Sequence, residues 1–382
     1  MKKETIIHDS IILFSFRRSQ KKFFEQLIVV CRKSKKIEII SSKSSWKISL
    51  KSFQSLRNID QTKACEFAIN EFYAKNSFFM PRFLLQGYFK VFAILNILRY
   101  YTVLDKGYSK MLIWNGGKFR QLLALDIAKH LGIKVYFFEN GLLPNTIVFD
   151  HKGINYNNSV PRKKSFYEKN QIKAHLPSEL VPRVGKNRDI FKGKKEPLPE
   201  IYIFVPFQVD ADTQIISQSP WIRNMRALYD IIENIAKNSK YHFVLKEHPS
   251  SGVEYPDLHQ RASLSTHISF QNTYPTQQLI EKSTAVVTIN STVGIESLLF
   301  HKKVIVLGNA FYDIEGITYG VKSEEQLHIK LEEIESLSLD IVLVDNFLHY
   351  LYTEYLIAKN DDMYLQFCKK LYVDRSVHEV VQ

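Results

Sequence analysis

Cysteine is scarce in this 382-residue chain: Cys31, Cys65 and Cys368 are widely spaced and odd in number. Such usage offers no disulfide framework and no metal-ligand spacing, and the natural reading is a reducing cytoplasm. Long apolar runs are missing too. No stretch approaches the roughly 18 uncharged residues of a membrane helix. The nearest, Phe83 to Val103, is interrupted by Lys90 and Arg99 and reads as an amphipathic helix lying on the core or on a membrane surface. Ile6 to Phe16 is apolar but contains His8, Asp9 and Ser10 with no small-residue cleavage site after it, so no signal peptide is expected. There is no internal repeat, no dinucleotide fingerprint of the G-x-G-x-x-G type and no P-loop motif. Acidic residues are in deficit, 39 against 52 basic ones, giving a formal net charge of +13. That charge points to an anionic substrate or surface. Basic clusters stand at Arg17 to Lys22, Arg32 to Lys36, Arg162 to Lys164 and Arg183 to Lys195. No nucleic-acid-binding motif accompanies them, so nucleic acid is not an expected partner.

What is present is the composition of a globular protein, 45% hydrophobic and 24% charged, long enough for two ordinary domains. Short apolar segments read as strands at Ile11 to Phe16, Ile37 to Ile40, Met111 to Trp114 and Lys134 to Phe138. Helices are expected at Gln20 to Cys31, Gln61 to Tyr73, Phe83 to Val103 and Lys118 to His130. Gly185 to Glu200 is charged, contains Gly and Pro, lacks apolar period and reads as a linker. The rhythm restarts with strands at Ile201 to Val205, His242 to Leu245, Ala285 to Ile289 and Val304 to Leu307. Helices are expected at Trp221 to Ala236, Thr276 to Lys282 and Thr292 to Phe300, and Glu324 to Leu371 reads as mainly helical. This is an α/β plan of the GT-B type, with two Rossmann-like domains and a cleft between the C-terminal ends of their strands. The expected divisions are an acceptor-side domain at 1–184, the linker at 185–200, a nucleotide-sugar domain at 201–335 and C-terminal helices at 336–382.

Polar residues gather where those strands end. Asn115-Gly116-Gly117 follows one, and Glu139-Asn140-Gly141 follows the next, with Asp150, Gly153, Asn155, Asn158 and Ser159 beyond. A carboxylate at the end of a buried strand is an acid or base candidate, because desolvation raises its pKa; a turn residue has the same signature. Gln208 leads to Asp210 and Asp212, which are spaced to hold a divalent metal or to divide, one exposed and one facing the cleft. Lys246-Glu247-His248-Pro249 adds a cation and an imidazole. In Ala285 to Ser297 a β-branched strand breaks into Asn290, Ser291 and Thr292, residue types that cap a helix and suit an anion. Gly294 leaves room there for a ligand or a neighbouring backbone. An ordinary capped βα junction reads the same way.

The segments FFENGLLPNTIVFDHKGINYNNSVPR, VPFQVDADTQI, KEHPS and NSTVGIESLLFHKKVIVLGNAFYDIEGIT, in this order and spacing, resemble the bacterial capsule polysaccharide biosynthesis family. That family includes retaining β-Kdo transferases, which move the eight-carbon acid sugar Kdo from CMP-Kdo. The resemblance spans Trp114 to Thr318, and the first hundred residues lack the Gly-Asp signature of the branch that acts on a phospholipid anchor. It implies Asp212 as nucleophile, Glu139 as acid/base, and His248 with Ser291 and Thr292 on the CMP phosphate. Lys246 would neutralise that phosphate or the Kdo carboxylate. Asn290, Gln208 and Glu296 would complete the donor side, Glu296 on a ribose hydroxyl, with Tyr312 and Asp313 shaping the pocket. Asn115, Asn140, Gly141, Asp150 and Asn155 would line the remaining pocket. Because CMP carries one phosphate, no metal or other cofactor is expected, and Asp210 is read as a neighbour. Expected partners are CMP-Kdo, a glycan or glycolipid acceptor, the inner-membrane surface and capsule assembly proteins. The expected location is cytoplasmic and peripheral on that membrane. The alternatives are a same-fold transferase using another sugar nucleotide and a non-catalytic capsule assembly or export factor. The latter has no need for Asp212, Glu139 and His248 to converge.

Overall fold

The computed structural model describes residues 10–31, 36–41, 47–76, 78–169, 173–182, 189–192 and 195–372. Its first half runs β1 (Ser10–Ser15), α1 (Arg18–Val30), β2 (Lys36–Ser41), α2 (Leu50–Ser55), α3 (Thr62–Lys75), α4 (Arg82–Leu104), β3 (Lys110–Trp114), α5 (Phe119–His130), β4 (Lys134–Asn140), β5 (Thr146–Asp150) and α6 (Lys164–Lys169). The second continues with β6 (Tyr202–Pro206), α7 (Thr213–Gln218), α8 (Met225–Ala236), β7 (His242–Lys246), α9 (Pro256–Ser263), β8 (Ile268–Phe270), α10 (Thr276–Lys282), β9 (Ala285–Thr288), α11 (Thr292–Leu298), β10 (Lys303–Val306) and β11 (Tyr319–Gly320). Last come α12 (Glu324–Glu332), α13 (Ile341–Tyr350), β12 (Leu356–Ala358) and α14 (Met363–Tyr372).

The strands are short apolar runs, and strands covered by helices on both faces need no polar alternation. Thus Tyr202, Ile203, Phe204 and Val205 in β6 are all buried, as are Ala285, Val286 and Val287 in β9. Helix α8 shows the complementary pattern. Its buried Met225, Leu228, Tyr229, Ile232 and Ile235 recur at helical spacing, and Asn224 caps it by accepting from the Ala227 amide at 2.8 Å.

Two six-stranded sheets result, ordered β12-β5-β4-β3-β1-β2 and β11-β10-β9-β6-β7-β8. The second is parallel throughout, and its order is that of a doubly wound Rossmann sheet whose direction reverses between β6 and β9. In the first, β2, β1, β3 and β4 are parallel and the reversal lies between β1 and β3. Strands β5 and β12 extend that sheet as antiparallel neighbours. Ligands of open α/β sheets bind beyond the strand ends at such reversals, which marks the mouth between the two sheets before any side chain is considered.

Two expectations need correction. The C-terminal segment read as helical contains β12, which crosses back to pair with β5, followed by α14 against α1. Phe367 packs on Phe138 there, with ring centroids 5.1 Å apart, and Lys110 donates to the Leu371 carbonyl at 2.9 Å. This return also brings Cys31 and Cys368 together, 337 residues apart in sequence and 5.6 Å apart at Cα, as a disulfide, while Cys65 is buried and free. Cysteine spacing therefore carried no information about pairing, and it no longer argues for a compartment. The basic runs at Arg32 to Lys36 and Arg183 to Lys195, and the linker at 185–200, lie in part outside the described residues.

Candidate active site

A cleft of about 960 Å³ opens between the two sheets at both reversals. Its wall includes Glu139, Asp212, His248, Ser291 and Thr292, so the residues singled out at four strand ends meet in one place.

Glu139 is held from its own side. Asn115, just past β3, adopts a left-handed backbone (φ +70°) that asparagine tolerates better than most residues. Its side-chain oxygen accepts from the Gly117 amide at 2.9 Å, which turns its Nδ2 to donate to Glu139 Oε2 at 2.7 Å. The Asn140 amide donates to Oε1 at 2.9 Å. Burial nevertheless raises the Glu139 pKa above the ordinary carboxylate value against these hydrogen bonds, and the Asp212 charge adds to the rise. Gly141 lines the cleft where the chain turns from β4 into β5, and a Cβ there would overlap the Thr146 side chain and backbone. Asp150 does not reach the cleft wall. It is buried and accepts from Lys152 N (2.6 Å), Ser159 N (2.7 Å) and Ser159 Oγ (2.9 Å), folding the loop that presents Asn155 to the cleft.

The two aspartates after β6 divide. Asp210 is buried and accepts from the Met225 amide at 2.7 Å and the Tyr255 hydroxyl at 2.8 Å, and burial raises its pKa. Asp212 is exposed on the cleft and caps α7, accepting from the Gln214 amide at 2.9 Å. Helix α7 is fixed in turn by Asn290, whose Nδ2 donates to the carbonyls of Gln214 (3.1 Å) and Gln218 (3.2 Å). Gln208 closes the arrangement, donating to Asn290 Oδ1 at 3.0 Å and accepting from the Asn290 amide at 3.2 Å. Gln208 also reaches the cleft; Asn290 is buried behind it and acts through α7.

His248 accepts from the Ser250 amide through Nδ1 at 3.1 Å, which places the proton of the neutral ring on Nε2. Lys246 lies elsewhere. Its ammonium donates to the carbonyls of Asn272 (2.6 Å) and Tyr274 (2.7 Å) and sits over the Phe191 ring, and burial pulls its pKa down to about 8. It is not part of the cleft wall. Between them, buried Glu247 pairs with His259 at 2.7 Å.

Ser291 caps α11 by accepting from the Val293 amide at 3.2 Å, and its carbonyl accepts from the Tyr312 hydroxyl at 2.5 Å. Tyr312 is buried behind the cleft, Asp313 is exposed and accepts from Thr318 at 3.1 Å, and Glu296 acts electrostatically on Tyr312; none of the three lines the cleft. Gly294 makes room for Tyr312, whose hydroxyl would lie 2.6 Å from a Cβ at that position. Gly294→Ala is expected to cost about 1–3 kcal/mol, because the ring is packed on every side and cannot withdraw. A lowered thermal midpoint checks this.

Much of the opposite wall was not read from the sequence. Arg17 lines the cleft just past β1 and Lys118 does so at the start of α5, near Arg120 and Lys75. Phe72, Phe89 and Phe119 supply apolar surface beside them. The run at Arg17 had been read only as a basic cluster, and nothing local tied it to Lys118, 101 positions away.

Two doubly wound sheets facing across a cleft define an α/β, GT-B-like two-domain protein. The fold matches that of Thermosulfurimonas dismutans KpsC, a β-Kdo 2,7 transferase, with a TM-score of 0.50 at 15% identity over 95% of this chain and 98% of that one. In sequence, residues 181–358 match the family described as capsule polysaccharide biosynthesis protein. Protein FixF of Sinorhizobium fredii is 35% identical over 65% of this chain and 60% of its own length. The capsule polysaccharide export protein KpsS of Escherichia coli is 27% identical over 50% of this chain and 65% of its own. The chain thus spans less than two thirds of these curated relatives, and it resembles the capsule polysaccharide biosynthesis family.

Proposed function

We propose that this protein is a retaining β-Kdo glycosyltransferase that uses CMP-Kdo in the synthesis of capsule or another surface polysaccharide. The observation that supports it most is the meeting of Asp212, Glu139 and His248 in one cleft at both sheet reversals. A carboxylate oxygen of Asp212 attacks the anomeric carbon as the bond to phosphate breaks, and CMP leaves with the electron pair. An acceptor hydroxyl then displaces Asp212, giving its proton to Glu139 and restoring the free carboxylate. Two inversions give retention. His248, donating from Nε2, and the Ser291 and Thr292 hydroxyls would steady the departing phosphate, while Arg17 makes the opposite wall attractive to an acidic sugar and Lys118 beside it pairs with Glu71.

We expect no metal, since both oxygens of Asp210 already accept hydrogen bonds from protein groups and CMP carries one phosphate. The protein would work in the cytoplasm, peripheral to the inner membrane and beside capsule assembly proteins. Among the described residues no helix is long and apolar enough to cross a membrane.

The test is release of nucleotide from CMP-Kdo, CMP-sialic acid, and UDP- and GDP-sugars, with and without EDTA. Release of CMP from CMP-Kdo alone, unchanged by EDTA, is expected. Turnover of another donor shifts the substrate class, and loss in EDTA restored by Mg²⁺ returns the aspartate pair to metal binding. The name of the KpsS relative keeps one other reading open, a non-catalytic export factor, which would bind glycan and turn over no donor.

A further inference from the structure

Helix α4 has two apolar faces, and only one is used by the fold. Ala93, Ile97, Tyr100 and Leu104 are buried against the first sheet's core. On the other side Leu84, Tyr88, Val91 and Leu95 recur at steps of four, three and four, which makes one stripe along the helix. Leu84 is 51% exposed, Val91 61%, and Phe83 beside them 69%. Phe79, just before the helix, is 81% exposed. Leu50 and Phe53 on α2 are exposed as well, and α2 is tied to the last turns of α4 through Ser49, whose amide donates to Thr102 at 2.9 Å. Large apolar side chains in a row on a surface mark an interaction site more often than solvent alone.

Charge identifies the occupant. Between Glu71 and Asp105 the sequence contains no acidic residue and four basic ones, Lys75, Arg82, Lys90 and Arg99, of which Arg99 is buried and Lys75 and Arg82 pair with Glu71 and Glu66. Between Glu38 and Asp60, around α2, there is again no acid, while Lys47, Lys51 and Arg57 are present. A second copy of the chain placed here by a two-fold axis would bring the exposed Lys47, Arg57 and Lys90 against like charges. Apolar residues interleaved with cations instead suit an interfacial helix lying on anionic lipid.

From this juxtaposition we propose that the outer face of α4, with α2, docks this protein flat on an anionic bilayer. The inference rests on the peripheral-membrane part of the function proposed above and identifies the surface responsible. It also gives the cleft an orientation. Tyr88 stacks on Phe92 with ring centroids 6.1 Å apart, Phe92 stacks on Phe119 at 5.6 Å, and Phe119 and Phe89 line the cleft. The aromatic wing of the cleft therefore begins where the docking face ends, and a lipid-linked acceptor would enter it without leaving the surface.

Sedimentation with phosphatidylcholine vesicles, with and without phosphatidylglycerol, tests the assignment. Wild type should bind the phosphatidylglycerol vesicles, bind plain phosphatidylcholine much less, and be released by salt. The triple variant Phe83→Ser, Leu84→Ser, Val91→Ser should bind about tenfold less or weaker still, with an unchanged thermal midpoint because these side chains are exposed. Its release of CMP in free solution should match wild type. Vesicle binding needs no catalysis, so a protein that binds lipid but turns over no donor overturns the enzyme reading and leaves this one standing. Wild-type binding by the triple variant, no vesicle binding by wild type, or a wild-type dimer that the triple variant dissociates would overturn the docking face.

Discussion

Asp212→Asn is expected to abolish sugar transfer, by about 10³-fold or more, while CMP still binds as in wild type. The substitution isolates chemistry from structure. Asp212 does two things, presenting a carboxylate to the cleft and capping α7 through the Gln214 amide. Asparagine caps a helix about as well as aspartate, so α7 should stay in place, but an amide cannot form the sugar ester. The same exchange at Asp210 would act on stability instead, because its carboxylate accepts from two buried donors behind the cleft. Mass spectrometry of wild type after brief exposure to CMP-Kdo should find protein carrying one Kdo, and the variant should carry none. Wild-type turnover by Asp212→Asn would remove Asp212 from the mechanism.

Eight of the twelve strands among the described residues were legible because their burial is written locally, as four or five apolar residues bounded by polar ones, whereas β5, β8, β11 and β12 were not read. The meeting of ENG, QVDAD, KEHP and NST was legible for a related reason, since parallel strands send all their C-terminal ends to one side. What could not be read were facts set by distant partners. Lys246 and His248 stand two residues apart, yet one is captured by the Asn272 and Tyr274 carbonyls while the other reaches the cleft. Asn290 looked like a ligand because its type and place suited one. Its four hydrogen bonds to Gln208, Gln214 and Gln218 instead make it the brace for the helix that carries Asp212. Gly294 invited a ligand and received a tyrosine ring. The Cys31–Cys368 pairing depended on β12 crossing the molecule, and a three-residue strand in a helical region leaves almost no periodic trace.

Glu139 gives the second large effect, and its direction follows from burial. To take the acceptor's proton it must be ionised, and burial holds its pKa above the ordinary value of 4.5. Transfer should therefore fall as pH drops through that raised pKa, an acidic limb higher than an exposed glutamate would give. Glu139→Gln should lower transfer by about 10² to 10⁴-fold and remove the limb. A structural role would not move the pH profile in this way. Stability provides an independent readout with a definite sign. A carboxylate whose folded pKa is raised favours the folded state below its unfolded pKa, and that advantage is lost as pH rises through the folded value. Between about pH 4 and pH 7 the difference in unfolding free energy should thus shift in favour of Glu139→Gln, which carries no charge to bury. Denaturant melts of both proteins at the two pH values measure this shift. A parallel pH dependence in the two would mean that Glu139 titrates as an ordinary surface carboxylate, and its assignment as the acid/base would fall with it.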